Sequence, residues 1–284
     1  MTYSIVARDP LTGALGVGVQ THQPCVGSIV PWVEPGVGAV ATQSFANINF
    51  GPQGLALLAN GLPADRVVAA LIAGDDIPER RQVAVIDDAG SAAVHTGASC
   101  IPFASHVVGT GFSTQANMMT AAGVPEAMAA AFEAAPGVLA ERILAALDAG
   151  QRAGGDIRGS QSAAILVREP GPRANTWDLR IDNSPAPLAD LRTLLNIRLA
   201  GAMLGALPAD ASLESLQAAH AKAHELYPSD EQAFWFAINQ LGARGYTEEA
   251  VARLRALFER APQWRELLTR LPFPNLEELI RRTA

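Results

Sequence analysis

The chain opens MTYSIVARDPLTGALGVGVQT, residues 1–21, and this stretch reads as a β-hairpin. TYSIVARD alternates apolar and polar positions, PLTG supplies a turn, and ALGVGVQT alternates again. Residue 2 carries a second message. A side chain as small as Thr2 permits removal of the initiator methionine, which would leave a free α-amine beside a hydroxyl at the head of the first strand. Those two groups are enough for nucleophilic chemistry.

Working outward, SIVPWV reads as a third strand and turns through EPG into the glycine-rich strand GVGAVATQS. Helical spacing then predicts LALLANG and, after Leu62-Pro63, ADRVVAALIAG. RRQVAVIDDAGSAAVHTG reads as a hairpin around Asp88-Ala89-Gly90, and HVVGTGFSTQ as one more strand. Two alanine-rich helices, PEAMAAAFEAA and LAERILAALDAGQRAG, precede the strands QSAAILVRE and TWDLRIDN. No regular βαβ alternation is present, so the expected class is α+β with mostly antiparallel sheets covered by helices. From about Leu213 the pattern is helix alone, broken at Pro228, Gly245 and Pro262, with Ser229 and Thr247 placed as caps. These helix pairs look like one and a half tetratricopeptide-type repeats, about half of what usually stands alone. The expected division is therefore a main domain over 1–205 and a helical tail over 206–284.

Composition narrows the function classes. Hydrophobic residues at 49% against charged residues at 17% argue for a folded body. A net charge of −7 gives no reason to expect nucleic acid or an anionic membrane as partner. No stretch approaches the roughly 20 apolar residues of a membrane span, and MTYSIVARD lacks the features of a signal peptide, so a cytoplasmic location is expected. Cys25 and Cys100 show no zinc spacing, and neither metal nor cofactor is expected. The only lysine is Lys222, in the tail.

Two segments repeat a pattern: GVGAVATQSFANINFGPQG from Gly36 and GTGFSTQANMMTAAG from Gly109. Each passes from a glycine-rich strand through Thr-Gln to an Ala-Asn pair, giving Thr42, Gln43, Ala46, Asn47 and Thr114, Gln115, Ala116, Asn117. Asparagine suits such strand-to-helix corners as a turn former or cap. The alternative is that one corner aims its amide at a reacting carbonyl.

SIVARDPLTGALGVGVQ, VPWVEPGVGAVATQSFANINFGPQGL and GGDIRGSQSAAILV together resemble the domain of unknown function 1028 family, placed in the N-terminal nucleophile (Ntn) hydrolase superfamily. The resemblance covers roughly residues 2–200. It implies a four-layer αββα sandwich with two antiparallel sheets face to face, followed by a small all-α segment that family descriptions link to peptidoglycan binding. It also implies a role for Thr2: with Met1 gone, its hydroxyl attacks an amide carbonyl while its α-amine, of reference pKa ~7.7 to 8.0, takes the proton. The implied activity is an amidohydrolase acting on a small or peptide-like amide. A catalytically silent member that binds a ligand or partner is the alternative, and self-association, with the tail as one surface for it, is expected.

The remaining candidates are weighed around Thr2. Proteasome-like members place a lysine near the threonine; the main domain has none, so a cation there must be arginine. Arg158, between glycines in GGDIRGSQSA, is the first choice and Arg8 the second, the plainer reading of Arg158 being an ion pair with Asp156. Ser162 and Gln161 begin the following strand, where the resemblance implies a polar residue bonded to the α-amine. His22 lies just past the second strand, where it would tune the site by pH or face solvent. Asn47 is favoured over Asn117 as oxyanion donor, which leaves Asn117 and Gln43, with His22 and Gln161, as substrate contacts. Other signals carry less. GVGVQT and GTGFST lack the third glycine of a dinucleotide site, Cys25 and Cys100 read as small buried apolar residues, His220 and His224 as a solvated helix face, and Phe234, Trp235, Phe236 and Trp264 as packing between helices.

Overall fold

The computed structural model describes residues 2–171, 176–272 and 276–284. The chain divides into two compact units, Met1–Arg192 and Thr193–Ala284.

Among its described residues the first unit holds ten strands: β1 (Thr2–Arg8), β2 (Leu15–Thr21), β3 (Pro31–Glu34), β4 (Gly38–Ser44), β5 (Arg81–Asp87), β6 (Ala92–Thr96), β7 (Ser105–Gly109), β8 (Phe112–Asn117), β9 (Ser162–Arg168) and β10 (Thr176–Ile181). They form a six-stranded sheet in the order β10-β9-β2-β1-β8-β7 and a four-stranded sheet in the order β3-β4-β5-β6. The pairings between these strands are antiparallel, as the lack of βαβ alternation predicts. One expected strand is two: HVVGTGFSTQ folds back on itself as β7 and β8. Gly111, at φ +76°, supplies the left-handed turn that a run of β-formers would otherwise lack.

Side-chain alternation sorts each strand between two faces. Val6, Val17 and Val19 of the larger sheet meet Ala39, Ala41, Ala84 and Ile86 of the smaller one in a shared apolar cluster. On the smaller sheet's other face, Val40, Val83 and Val85 pack with Phe50, Leu58, Val67 and Leu71 from helices α1 (Phe50–Ala59) and α2 (Ala64–Ala73). The larger sheet's other face carries α3 (Val124–Ala134) and α4 (Leu139–Arg152). The glycines of GVGV have a specific use here: a Cβ on Gly18 would fall 2.2 Å from Ile143 of α4, so their absence lets that helix settle on β2. Gly51 does the same where α1 crosses Trp32, at 2.2 Å from the indole ring. That contact explains why α1 begins at Phe50, five residues before the predicted LALLANG, and runs through residues of poor helix propensity.

Helix α5 (Pro187–Gly205), which periodicity did not reveal, continues across the division between the units. The second unit continues with α6 (Leu213–Leu226), α7 (Asp230–Trp235), α8 (Thr247–Arg260), α9 (Gln263–Arg270) and α10 (Glu277–Thr283). Ser229 caps α7 as expected, its hydroxyl accepting from Gln232 N–H at 3.1 Å, whereas Thr247 is the first residue of α8 and not its cap. The segment Phe236–Leu241 is a π-helix in place of the continuous α-helix that DEQAFWFAINQLGARG suggests. Phe234 and Phe236 are buried, as core packing predicts. His220, expected on a solvated helix face, is instead buried and stacks on Phe236 at 4.1 Å. Burial, then Arg253 and His224, push its pKa down to about 4. Cys25, expected to be buried like Cys100, is exposed in the loop after β2. No described residues group as three or more metal-ligating side chains, and no described helix is long and apolar enough to cross a membrane.

Candidate functional site

Thr2 is the first residue of β1, at 4% exposure. Its neighbours follow from ladder geometry. Asp9 N–H donates to Ala14 O at 2.8 Å. Because hydrogen-bonded pairs alternate along an antiparallel ladder, Thr2 and Thr21 form a non-bonded pair, the kind that brings side chains closer. Thr2 Oγ1 accordingly donates to Thr21 Oγ1 at 3.2 Å. On the other side of β1, Arg8 N–H donating to Gly111 O at 2.9 Å sets the opposite phase, making Thr2 and Asn117 a hydrogen-bonded pair.

From Thr21 the hydroxyl continues to Asp156 Oδ2 at 3.5 Å. Asp156, at 3% exposure, also accepts from His22 N–H at 3.0 Å and from the Arg158 guanidinium at 2.7 and 3.0 Å. Burial opposes ionisation of Asp156, but the Arg158 side chain and the N–H groups of Arg158 and His22 outweigh it and hold the carboxyl below the usual carboxylate range. A buried anion, compensated by a fixed cation, thus sits two hydroxyls from Thr2.

Beneath Thr2 lies a layer of amides between the sheets. Gln43 Nε2 and Asn117 Nδ2 both approach the Thr2 carbonyl, at 3.3 and 3.4 Å, and both donate to Gln82 Oε1, at 2.7 and 2.8 Å. Ser4 Oγ donates to Gln43 Oε1 at 2.6 Å and accepts from Gln115 Nε2 at 2.6 Å. The two Thr-Gln corners of the sequence repeat therefore supply Gln43 and Gln115 to one buried network from opposite sheets.

Of the predicted site residues, Thr2, Gln43 and Asn117 come together, and Arg158 joins them through Asp156. Arg158 is in the ion pair that its plainer reading predicted. His22 touches the site through its main chain, its ring Nδ1 being buried with no partner among the described residues. Gln161 N–H donates to Thr21 O at 2.9 Å, but its side chain turns to Asn183. Ser162 Oγ serves the loop after β2, accepting from Val26 N–H at 3.2 Å and donating to Gln23 O. Asn47 stands apart in its bonding: its amide donates to Asp75 at 3.1 Å, in a cluster where the Arg81 hydrogen bond holds the Asp75 carboxyl low. Arg8 lies at the far end of β1, about 20 Å along the strand by its rise per residue, and pairs with Asp88. Met1 lies outside the described residues.

Thr21, Gln82 and Ser4 were not singled out from the sequence, and Asp156 only as a partner for Arg158. The strand alternation Val17, Val19, Thr21 would have put Thr21 on the face of Thr2 once the hairpin was paired. Gln82 sits in a strand that the sequence marks only as half of a hairpin, and only the meeting of the two sheets gives it a part.

The crystal structure of a protein from Silicibacter pomeroyi carrying the DUF1028 family model superimposes with a TM-score of 0.64 at 34% sequence identity, over 68% of this chain and 84% of that one. The ancestral β-subunit Anbu from Yersinia bercovieri gives a TM-score of 0.32 at 12% identity, over 75% of this chain and 100% of that one. No curated protein matches. The model of the family of unknown function DUF1028 matches residues 2–191, and to that family the chain belongs.

Proposed function

We propose that the first unit is an Ntn-type four-layer αββα sandwich and that Thr2, freed by removal of Met1, makes it an amidohydrolase for a small or peptide-like amide. The observation that carries this reading is the line Thr2 Oγ1, Thr21 Oγ1, Asp156: a buried hydroxyl at the head of a strand, oriented by a second hydroxyl and a compensated carboxylate.

In the reaction the α-amine of Thr2 takes the hydroxyl proton as Oγ1 bonds to the substrate carbonyl carbon. The tetrahedral adduct collapses with cleavage of the carbon–nitrogen bond, and the departing nitrogen receives the proton from the α-ammonium. Water then attacks the resulting ester, giving a proton back through the amine, and Thr2 Oγ1 leaves with it. One residue supplies nucleophile and base. The pairing of Thr2 with Asn117 would hold the amine by the Asn117 main-chain carbonyl, and Arg158, always charged, acts by its field and not as a base. Asn47 is left out, because its amide has Asp75 as a partner.

Two measurements test this. Intact mass spectrometry is expected to show loss of Met1, and a β-lactone, which acylates a terminal threonine, is expected to label the processed protein once. Thr2→Ser should retain labelling and Thr2→Ala should abolish it, a loss of at least ~10³-fold. Equal labelling of Thr2→Ala, or turnover by a preparation that retains Met1, eliminates Thr2 as nucleophile. A processed, folded protein that takes no label favours the silent, ligand-binding reading, which the absence of lysine from residues 1–221 also favours.

A further inference from the structure

We infer that Gln82, which does not touch Thr2, is a positioning residue for the chemistry at Thr2: it fixes which way the Asn117 and Gln43 amides face. This rests on the reading of Thr2 as nucleophile.

An amide side chain has two ends, and which end points where depends on its fixed neighbours. Gln82 Nε2 lies 3.0 Å from Ala116 O, 3.3 Å from Ser105 O and 2.9 Å from Thr96 Oγ1. The first two are main-chain carbonyls, which only accept. Gln82 therefore cannot turn over, and its Oε1 must face Gln43 Nε2 and Asn117 Nδ2, which must then be donors. Their donor ends converge on the Thr2 carbonyl.

Gln43 has a second anchor, Gln115 O at 3.4 Å. Asn117 has none. Its Nδ2 rests on Gln82 Oε1 and Thr2 O, and its Oδ1 is buried with no partner among the described residues. Without Gln82, the orientation of Asn117 rests on its long 3.4 Å contact with the Thr2 carbonyl alone, and the 2.8 Å bond that holds Nδ2 in place is lost. The polarity at Thr2 is thus set by the backbone of β7 and β8 and relayed through a side chain of the other sheet.

Two consequences follow. Thr2 is held at its main chain by two amide donors, which fixes the strand end from which its hydroxyl reaches Thr21. The positive ends of two amide dipoles point at the carbonyl of the residue that carries the α-amine, which disfavours the ammonium form, a task that lysine performs in proteasome-like members and that no lysine of this unit is present to do.

The experiment uses the processed full-length protein and a β-lactone as probe. Gln82→Met, close in volume and without amide groups, is expected to lower the second-order labelling rate at Thr2 by about 10²-fold and to move the midpoint of its pH profile upward. Gln82→Glu, which keeps an acceptor toward Asn117 and regains a donor when protonated, should fall between Gln82→Met and the wild type. A merely structural Gln82 would lower the unfolding midpoint yet leave the rate and the pH midpoint of the folded protein unchanged, and that result overturns the proposal. The wild type gives an independent check should the variants fail to fold: the side-chain NH2 protons of Gln82, Gln43 and Asn117 are expected to exchange with solvent over hours. Exchange within seconds for Gln82 and Asn117 overturns the lock. A wild type that shows slow amides but takes no label at Thr2 counts against the nucleophile reading alone.

Discussion

The interface between the two sheets is built from the same strands along its length, yet its two ends differ in kind. Going inward along β2 the facing residues are Leu15, Val17 and Val19, then Thr21; along β4, Ala39 and Ala41, then Gln43; along β5, Ile86 and Ala84, then Gln82; along β1, Val6, then Ser4 and Thr2. Both ends are almost wholly buried. At the apolar end any side chain of suitable volume satisfies the contact, because dispersion and burial have no direction. At the polar end each donor must find its acceptor in one geometry, and a group left over loses its solvation without return. A fold that needed only to cohere would extend the first kind of packing throughout. Concentrating buried amides and hydroxyls around Thr2 makes that end directional, which suits positioning more than cohesion.

The sharpest way to break this contrast is to put an amide where the interface is apolar. Val17→Asn removes two buried methyl groups and leaves an amide among Val6, Val19 and Ile86 with nothing to bond. The expected cost is about 4 kcal/mol, a large part of a domain's usual stability of about 5 to 15 kcal/mol. Urea denaturation checks it through a lower midpoint at unchanged slope. A loss below 1 kcal/mol would mean that the apolar end admits water and that the two ends are less distinct than their burial implies.

The reverse change is gentler. Gln115→Met at the polar end removes the donor to Ser4 and the acceptor of the Ser113 hydroxyl, which lies 3.2 Å away. About 3 kcal/mol is expected, on the order of the penalty for two stranded groups. Adding Ser113→Ala should return about 1 kcal/mol by removing one of them. A double variant less stable than Gln115→Met alone would show that these residues are not coupled through a hydrogen bond.

The two ends were unequally legible in the sequence. Alternation in TYSIVARD, ALGVGVQT and RRQVAVIDD marks the strands, and the lack of βαβ spacing marks their antiparallel pairing, since both are local properties of side-chain order. The β7–β8 turn was hidden because Thr110 and Gly111 interrupt a run of strand formers by only two residues. Helix α5 was hidden because apolar residues occur around most of its circumference, leaving little periodicity to detect. At the site, Thr2 and the two Thr-Gln corners were visible as residues with unusual chemistry. That Asn117 and not Asn47 lies beside Thr2 was not, because it depends on which strand pairs with β1, a long-range pairing that the repeat does not encode. Gln82 and Thr21 are ordinary letters in ordinary strands. Only the register across two sheets turns them into neighbours of Thr2.

The smallest expected effect tests whether the outer margin of the polar end is ionic or merely polar. Asp156→Asn keeps the shape but gives up the charge that Arg158, His22 N–H and Thr21 compensate. At pH 7 a loss of about 2 kcal/mol is expected, as for hydrogen bonds to a charged group. The wild-type carboxyl has its pKa lowered on folding, so its contribution is fully present above the unfolded carboxylate value and is lost as pH falls through the folded one. The stability gap between wild type and Asp156→Asn should therefore hold from pH 7 to about 5 and narrow on acidification below about 4. Paired urea titrations across that range measure the gap directly, with other acid-labile groups cancelling in the difference. A gap that widens toward low pH would mean that Asp156 is protonated in the folded protein at neutral pH. Thr21 would then face a carboxylic acid, and the hydroxyl line from Thr2 would end on a donor as readily as on an acceptor.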